Sequence, residues 1–195
     1  CALFGEMRRQ GVLADVFTFV SLLLVCSTEG NLEVGRLVHC HMLASGSRVD
    51  LILGNALVDM YGKCGDLWMA RRCFDMMPTK NVVSWTSMLC ALAKHGSVDA
   101  ARDWFEQMPE RNIVSWNAMI SCYVQAGRFC ETLGLYNRMK SLGLTPDEVT
   151  LAGVLSAHGQ NGDLASGMMM HCYIKDNFSD PGVTLLNSLI DMYAR

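Results

Sequence analysis

The feature that most restricts how this chain can fold is that it repeats itself. Residues 74–85 read FDMMPTKNVVSW, and 31 positions later residues 105–116 read FEQMPERNIVSW. A longer shift of 132 positions places Gly35 on Gly167 and His39 on His171. A chain of this kind folds as a row of similar units, each packed on its neighbours, rather than around one central core.

The recurring boundaries divide the chain into whole units, with part of a unit at each end. The divisions are a partial unit 1–15, a long unit 16–50, short units 51–81 and 82–112, a standard unit 113–147, a long unit 148–182 and a partial short unit 183–195. We expect them to form one continuous array. Because the array starts and stops inside a unit, we also expect the chain to be a segment of a longer array.

Each whole unit carries the pattern of two short helices. In one short unit, Ser84 is predicted to cap a helix over 85–94, and Ser97 to cap a second helix over 98–108 that Pro109 ends. The capping place of Ser97 is taken in other units by Asn31, Asp66 and Asp163. One such hairpin cannot bury its own apolar face, so hairpins must stack. The predicted fold is therefore all-α, a right-handed superhelical solenoid of stacked helix-turn-helix hairpins.

The unit lengths also predict where the units differ from one another. A 35-residue unit exceeds a 31-residue unit by 4 residues, which is about one helical turn. We place this additional turn at the end of the second helix.

Composition and charge exclude several classes of protein. Lys and Arg number 16 against 19 Asp and Glu, and the net charge of -3 excludes a binder that depends on bulk positive charge. A hydrophobic fraction of 51% with 18% charged residues excludes intrinsic disorder. The most apolar run, residues 16–26, is far shorter than the roughly 18 residues that a membrane span needs. No membrane partner is therefore expected.

The sequence contains no pattern typical of a catalytic or metal site. The 9 cysteines include no Cys-x-x-Cys pair, and we expect them to be buried as small apolar residues. His39 and His41 flank Cys40, but alternate residues of a helix point to different faces. No histidine has Glu two positions later, as a zinc-dependent nucleobase deaminase requires. We expect no enzyme activity, cofactor, metal or small-molecule substrate in these residues.

Several motifs resemble those of the pentatricopeptide repeat family. They are VVSWTSM at 82–88, IVSWNAM at 113–119 and DMYGKCG at 59–65, together with Gly35 and His39 in a long unit. The alternation of 35- and 31-residue units is similar to that of the plant subclass that mixes standard, long and short repeats, the PLS class. The resemblance covers the whole chain. It implies binding of single-stranded RNA in mitochondria or chloroplasts, with one base for each repeat.

The resemblance also implies which residues read the bases. In the family, a residue on the first helix of a repeat and the residue that closes the repeat act as a pair. Carried over, the pairs are Asn55 with Asn81, Thr86 with Asn112, and Asn117 with Asp147, and Asn187 opens a further pair. The family's pairing rules make them readers of a pyrimidine (C first), A and U, which gives a core of 5′-pyrimidine-A-U-3′. Amide and hydroxyl groups can donate and accept hydrogen bonds at the exposed edge of an unpaired base.

Other positions of the family pattern are apolar here. Ile52, Val83 and Val114 stand where family members hold each base between apolar side chains, and Phe17 and Val149 share their register. The long units depart from the reading pattern, since their pairs are Val20 with Asp50 and Ala152 with Gly182. An apolar side chain cannot hydrogen-bond to a base edge, so we expect the long units to space or pack.

The subclass implies a role in cytidine-to-uridine RNA editing. The array would select the site, as a monomer on RNA, and a deaminase domain in cis or in trans, or other editing cofactors, would act with it. The alternative is a tetratricopeptide-like scaffold for protein–protein interaction, which a strict 34-residue period and groove-lining Lys or Arg would favour. A third possibility, a helical linker without a ligand, does not require the paired polar residues.

Overall fold

The computed structural model describes residues 2–10, 12, 14–95 and 97–195, and all regular secondary structure in them is helical. The helices are α1 (Ala2–Arg9), α2 (Val16–Glu29), α3 (Leu32–Ala44), α4 (Leu51–Lys63), α5 (Leu67–Met76), α6 (Val82–Lys94), α7 (Val98–Gln107), α8 (Ile113–Gln125), α9 (Phe129–Ser141), α10 (Glu148–Gln160), α11 (Leu164–Asn177) and α12 (Val183–Ala194).

The helices form two compact units, residues 1–95 with α1 to α6 and residues 96–195 with α7 to α12. In the first, α4 packs against both α2 and α6, and in the second, α10 packs against both α8 and α12. The first helices of successive hairpins therefore lie side by side within each compact unit. The second helices α3, α5, α9 and α11 each pack on the helix that precedes them. The prediction of an all-α fold built from stacked helix hairpins is confirmed within each compact unit.

The residue that closes one repeat caps the first helix of the next. Its side-chain oxygen accepts the backbone N–H of the third helical residue, which satisfies one of the free donors at a helix start. The residues with this bond are Asp15, Asp50, Asn81, Asn112 and Asp147.

The predicted start of α6 is wrong by three residues. The helix begins at Val82 instead of Trp85, and its N-cap is Asn81 instead of Ser84. Asn81 Oδ1 accepts the Ser84 N–H at 3.0 Å, and Ser84 Oγ accepts the Asn81 N–H at 3.2 Å. This is a capping box, in which Ser84 is the third helical residue. The β-branched Val82 and Val83 hid this start from sequence reasoning, but the first turn tolerates them.

The second helices agree with the predicted difference in length. Each short unit has a second helix of 10 residues, whereas α3 and α9 have 13 and α11 has 14. The short helix α7 ends two residues before Pro109. Asn31, Asp66 and Asp163 cap their helices through side-chain hydrogen bonds, as predicted. Ser97 precedes α7 but makes no capping hydrogen bond through its side chain.

The two sequence periods correspond to repeated packing contacts. At the shorter period, Phe74 meets Trp85 and Phe105 meets Trp116, each pair edge to face with ring centroids 5.0 Å apart. The buried Trp116 thus packs between helices, as does its counterpart. Edge-to-face pairs of this kind contribute beyond the apolar area that they bury.

At the longer period, histidine meets tyrosine. His39 Nδ1 lies 2.9 Å from the Tyr61 hydroxyl, and His171 Nδ1 lies 2.9 Å from that of Tyr193. A glycine lies four residues before each histidine and packs against a methionine. A Cβ at Gly35 would collide with the Met60 sulfur, and a Cβ at Gly167 would collide with the Met192 sulfur. The 132-residue period is therefore a repeated helix contact as well as a repeated motif.

The expectation that the cysteines are buried is only partly met. Cys26, Cys73 and Cys122 are buried, but Cys40, Cys90, Cys130 and Cys172 are exposed. In α11, Met170 is buried, whereas Met168 and Met169 are exposed. The exposed residues lie on the outward faces of helices, where repeat position alone does not require burial.

Candidate nucleic-acid interface

Asn117 and Asp147 form the tightest pair among the predicted reading residues. Asn117 lies in the second turn of α8, and Asp147 is the N-cap of α10. The Asn117 Nδ2 group donates to both carboxylate oxygens of Asp147 at 2.9 Å, and Thr150 Oγ1 lies 2.6 Å from Asn117 Oδ1. Both ends of the Asn117 amide are therefore held by residues at the start of α10.

The charge of Asp147 strengthens this arrangement. Burial by itself would raise the pKa of the Asp147 carboxyl, but hydrogen bonds from Thr150 and Asn117 outweigh it and hold that pKa below its ordinary value. The ionised carboxylate can only accept hydrogen bonds, so it fixes the Nδ2 end of the amide. One N–H and one lone pair of the amide remain for a ligand. They match the donor and acceptor groups on the edge of an unpaired base.

The pair of Asn55 and Asn81 repeats this arrangement in the first compact unit, more loosely. Asn55 Nδ2 lies 3.4 Å from Asn81 Oδ1, and Ser84 Oγ lies 2.6 Å from Asn55 Oδ1. Asn81 is exposed and neutral, so it attracts the Nδ2 group less than a carboxylate does.

The remaining predicted readers are Thr86, Asn112 and Asn187. Thr86 lies in α6 and Asn112 caps α8, so they belong to different compact units. Thr86 is buried, and within the described part of the chain its Oγ1 atom has no hydrogen-bond partner. A buried hydroxyl without a partner lowers stability, and in this structure the atom is shielded from solvent. Asn187 is exposed on α12.

The apolar residues of the predicted sandwich are exposed in every first helix. Ile52, Val83 and Val114 are 53%, 55% and 55% exposed. Each lies three positions before a predicted reader, and such residues share one helix face. Phe17 and Val149 are also exposed, so the apolar row continues into the long units. The predicted readers and the exposed apolar side chains therefore line one surface of the first helices in each compact unit, with Thr86 and Asn117 themselves buried.

Comparison with known proteins identifies the family. The model of the pentatricopeptide repeat domain matches residues 2–64, that of the PPR repeat matches residues 55–82 and 83–113, and that of the PPR repeat family matches residues 111–160. The chain belongs to the pentatricopeptide repeat family.

Curated pentatricopeptide repeat proteins of Arabidopsis thaliana match almost the whole chain. The mitochondrial protein At2g22410 is 44% identical over 189 residues, which are 97% of this chain and 28% of that protein. The chloroplastic protein At1g15510 is 34% identical over 183 residues, which are 94% of this chain and 18% of that protein. The chain spans about a quarter of the length of the curated relatives it matches.

Solved pentatricopeptide repeat structures share the fold. The maize protein PPR10, in complex with an 18-nt psaJ RNA element, matches 89% of this chain with a TM-score of 0.76 and 26% identity, over 27% of its own chain. The PPR domain of Arabidopsis thaliana protein-only RNase P 1, in complex with tRNA, matches 89% of this chain and 95% of its own, with a TM-score of 0.68 and 13% identity. The second match shows the fold alone.

In this pentatricopeptide repeat chain, the long unit 148–182 has a different joint with the next helix. Gly182 is the N-cap of α12 and has no side chain to cap it. Instead, both carboxylate oxygens of Glu148, in the first turn of α10, accept the Gly182 N–H at 3.2 Å. A Cβ at Gly182 would lie 2.6 Å from Glu148 Oε2. The carboxylate therefore occupies the space that a closing side chain would need, and the partner position holds the apolar Ala152.

We expect Gly182→Asp to destabilise the chain by about 1 kcal/mol or more, although Asp is normally a better N-cap than Gly. The new carboxylate would meet the Glu148 carboxylate at close range. Chemical denaturation of Gly182→Asp, Glu148→Ala and the double variant gives the coupling energy. The Asp substitution should be harmless in the Glu148→Ala background. An equal loss in both backgrounds would contradict this account of the joint.

Sequence reasoning missed three residues of this surface. They are Ser84 and Thr150, whose hydroxyl groups contact reader amides, and Glu148, which replaces a closing side chain. A pattern could have indicated the first two, because Ser or Thr recurs at the third position of the first helix as Thr18, Ser84, Ser115 and Thr150.

The described residues contain no cluster of three or more His, Cys, Asp or Glu side chains placed to hold a metal ion. In the same part of the chain, no helix is long and apolar enough to cross a membrane.

Proposed function

We propose that this chain binds single-stranded RNA sequence-specifically, with one base for each competent repeat. The observation that carries the proposal is the amide of Asn117, which is held at both ends and lies on the same helix face as the exposed Val114. An apolar side chain beside a fixed donor and acceptor suits a base, which has an apolar face and a polar edge.

Further support comes from Thr86 and from the relatives. The Thr86 hydroxyl is buried without a partner in the described residues at a position that the family pattern assigns to reading. PPR10, which shares the fold at 26% identity, is in complex with RNA in its crystal structure. The family models and the solved structures described above are those of pentatricopeptide repeat proteins, and we do not favour the alternative of a peptide-binding tetratricopeptide scaffold.

The proposed register follows the repeats. Repeats 51–81, 82–112 and 113–147 are the competent ones and read 5′-pyrimidine-A-U-3′, while 16–50 and 148–182 act as spacers. The chemistry of unit 148–182 supports the spacer role, because Ala152 is apolar and Glu148 occupies the closing position.

The biological role that we propose is selection of sites for cytidine-to-uridine editing of RNA in mitochondria or chloroplasts. The support is the alternation of 35- and 31-residue units, typical of the PLS class, and the organellar names of the relatives. The chemistry would come from a deaminase domain in cis or in trans, with the array bound as a monomer.

The direct test is binding of the 195-residue chain to short RNAs that carry the proposed core or a scrambled one. In addition, Asn117→Thr should move the preference at the third base from U towards G, by about tenfold if one or two hydrogen bonds are exchanged. Fluorescence anisotropy with four RNAs that differ only at that base measures the shift.

Asn137→Thr is the matched control, because Asn137 is exposed on the second helix α9 and lies outside the reading row. It should leave the base preference unchanged. Equal affinity of the unsubstituted chain for all of these RNAs would overturn the proposed function.

A further inference from the structure

We propose that the hydroxyl group at the third position of a first helix is a positioning group for the reading amide of the preceding repeat. Thr150 would orient Asn117, and Ser84 would orient Asn55. The inference rests on the proposed function, which it deepens by adding specificity-determining residues outside the reading pairs.

The geometry is the same in two joints. Both hydroxyl oxygens lie 2.6 Å from the Oδ1 atom of the amide, and both hydroxyl residues are fully buried. Two oxygens at this distance require a proton between them, and an amide oxygen carries none. The hydroxyl must therefore donate to the amide oxygen. For Asn117, the ionised Asp147 carboxylate supports this orientation independently, because it can only accept and so requires the Nδ2 end of the amide.

Helix capping alone does not account for this proton. In a capping box, the hydroxyl is needed only to accept the N–H of the N-cap residue, which it does at 3.2 Å for Ser84 and 3.3 Å for Thr150. Ser115 has the same box, and its proton goes to the backbone oxygen of Asn112 at 2.8 Å. The Thr150 hydroxyl also lies 2.8 Å from Asp147 Oδ1, and the Ser84 hydroxyl lies 3.1 Å from Asn81 Oδ1, so the N-cap side chain is a second acceptor for each proton. The amide oxygen is the closer acceptor in both cases, at 2.6 Å, and this contact is an addition to the cap.

The orientation matters because the two ends of an amide differ only in being donor or acceptor. Rotation of Asn117 by half a turn about its last torsion would exchange the groups that face a base, and so exchange the preferred partner. Removal of the hydroxyl leaves the amide held only through Nδ2. For Asn117 that hold is an ionised carboxylate at 2.9 Å, whereas for Asn55 it is a neutral amide at 3.4 Å. Loss of Ser84 should therefore relax discrimination more than loss of Thr150.

The test uses Thr150→Val, which keeps the shape of the side chain without its hydroxyl, and Thr150→Ser, which keeps the hydroxyl. With the four RNAs that differ at the third base, Thr150→Val should lower the ratio of Kd values between the worst base and U by about threefold to tenfold, as expected for one lost hydrogen bond. Thr150→Ser should retain the ratio. Ser84→Ala should cause a larger loss at the first base.

Asp163→Ala is the control for loss of a cap, because Asp163 caps the second helix α11 through the Ser166 N–H at 3.1 Å. It should lower stability without changing any base preference. If Thr150→Val weakens binding to all four RNAs equally and keeps the preference for U, Thr150 has only a structural role and the inference is wrong.

A second measurement does not depend on RNA. In nuclear magnetic resonance spectra of the free chain, the side-chain amide protons of Asn117 should exchange with water faster in Thr150→Val than in the unsubstituted chain. Thr150→Ser should restore slow exchange. Equal exchange in all three chains would overturn the positioning role, while absence of base preference in the unsubstituted chain would overturn the proposed function itself.

Discussion

Replacing Trp116 with Ala is expected to lower the free energy of unfolding by about 3–5 kcal/mol, the usual range for removing a large buried aromatic side chain. Trp116 is only 1% exposed, and its ring meets Phe105 edge to face. The Arg138 guanidinium lies 5.7 Å from the ring centroid and would lose this contact too. Urea denaturation followed by far-ultraviolet circular dichroism measures the change without relying on tryptophan fluorescence.

Two matched variants separate packing from polarity in this prediction. Trp116→Phe should cost much less than Trp116→Ala, because the Trp116 Nε1 atom is buried without a hydrogen-bond partner in the described residues and its loss is favourable. Trp68→Ala should lower the free energy of unfolding by less than about 1 kcal/mol, since Trp68 is 67% exposed. Its ring lies beside the Arg72 guanidinium, 5.3 Å from the ring centroid, and an exposed contact of this kind contributes little. Similar losses for Trp68→Ala and Trp116→Ala would contradict the packing described for α8.

Gly62→Ala is expected to destabilise the chain by about 1–3 kcal/mol through overpacking. A Cβ at Gly62 in α4 would lie 2.6 Å from the Ala91 Cβ in α6. That methyl group is fixed to the backbone and cannot rotate away, so the two helices would have to separate. The direct contact between α4 and α6 explains why the DMYGKCG motif needs glycine at its fourth position.

Gly134→Ala is the control, with an expected effect of opposite sign. Gly134 lies within α9, and a Cβ there would have no atom within 4 Å. The substitution should stabilise the chain by about 0.5–1 kcal/mol, because alanine is the better helix residue. Parallel denaturation curves measure both variants. A loss of stability in Gly134→Ala would contradict the open space at Gly134. An unchanged stability in Gly62→Ala would contradict the close contact between α4 and α6.

The fold was predictable because the repeats are closely similar in sequence and each hairpin contains residues that start or end its helices. The 31-residue period predicted that Trp85 and Trp116 occupy equivalent positions, and Pro109 predicted the end of α7. The capping residues of α3, α5 and α11 were also correct, since Asn and Asp before an apolar helix have few other uses.

The sequence was less informative about contacts that join one repeat to the next. Ser84 was wrongly placed at the N-cap of α6 because Ser and Asn both favour helix starts, and Asn81 stands three residues earlier. The Glu148 contact with Gly182 spans 34 positions and depends on how α10 and α12 approach each other. Exposure of Cys40 and Cys172 likewise follows from helix orientation, which a shared repeat position does not determine.

Under the proposed function the closing residue has two roles, capping and reading, and this limits how such an array can acquire a new target. Asp15, Asp50, Asn81, Asn112 and Asp147 all begin a helix, and only Asn, Asp, Ser, Thr and Gly do so well. One of the two reading residues of each repeat is thus restricted to these five residue types by helix capping and not by the RNA. Any other residue type at the N-cap would lower the free energy of unfolding by about 0.5–2 kcal/mol. Changes of base preference during evolution should therefore accumulate at the other reading residue of each repeat, which lies within the first helix.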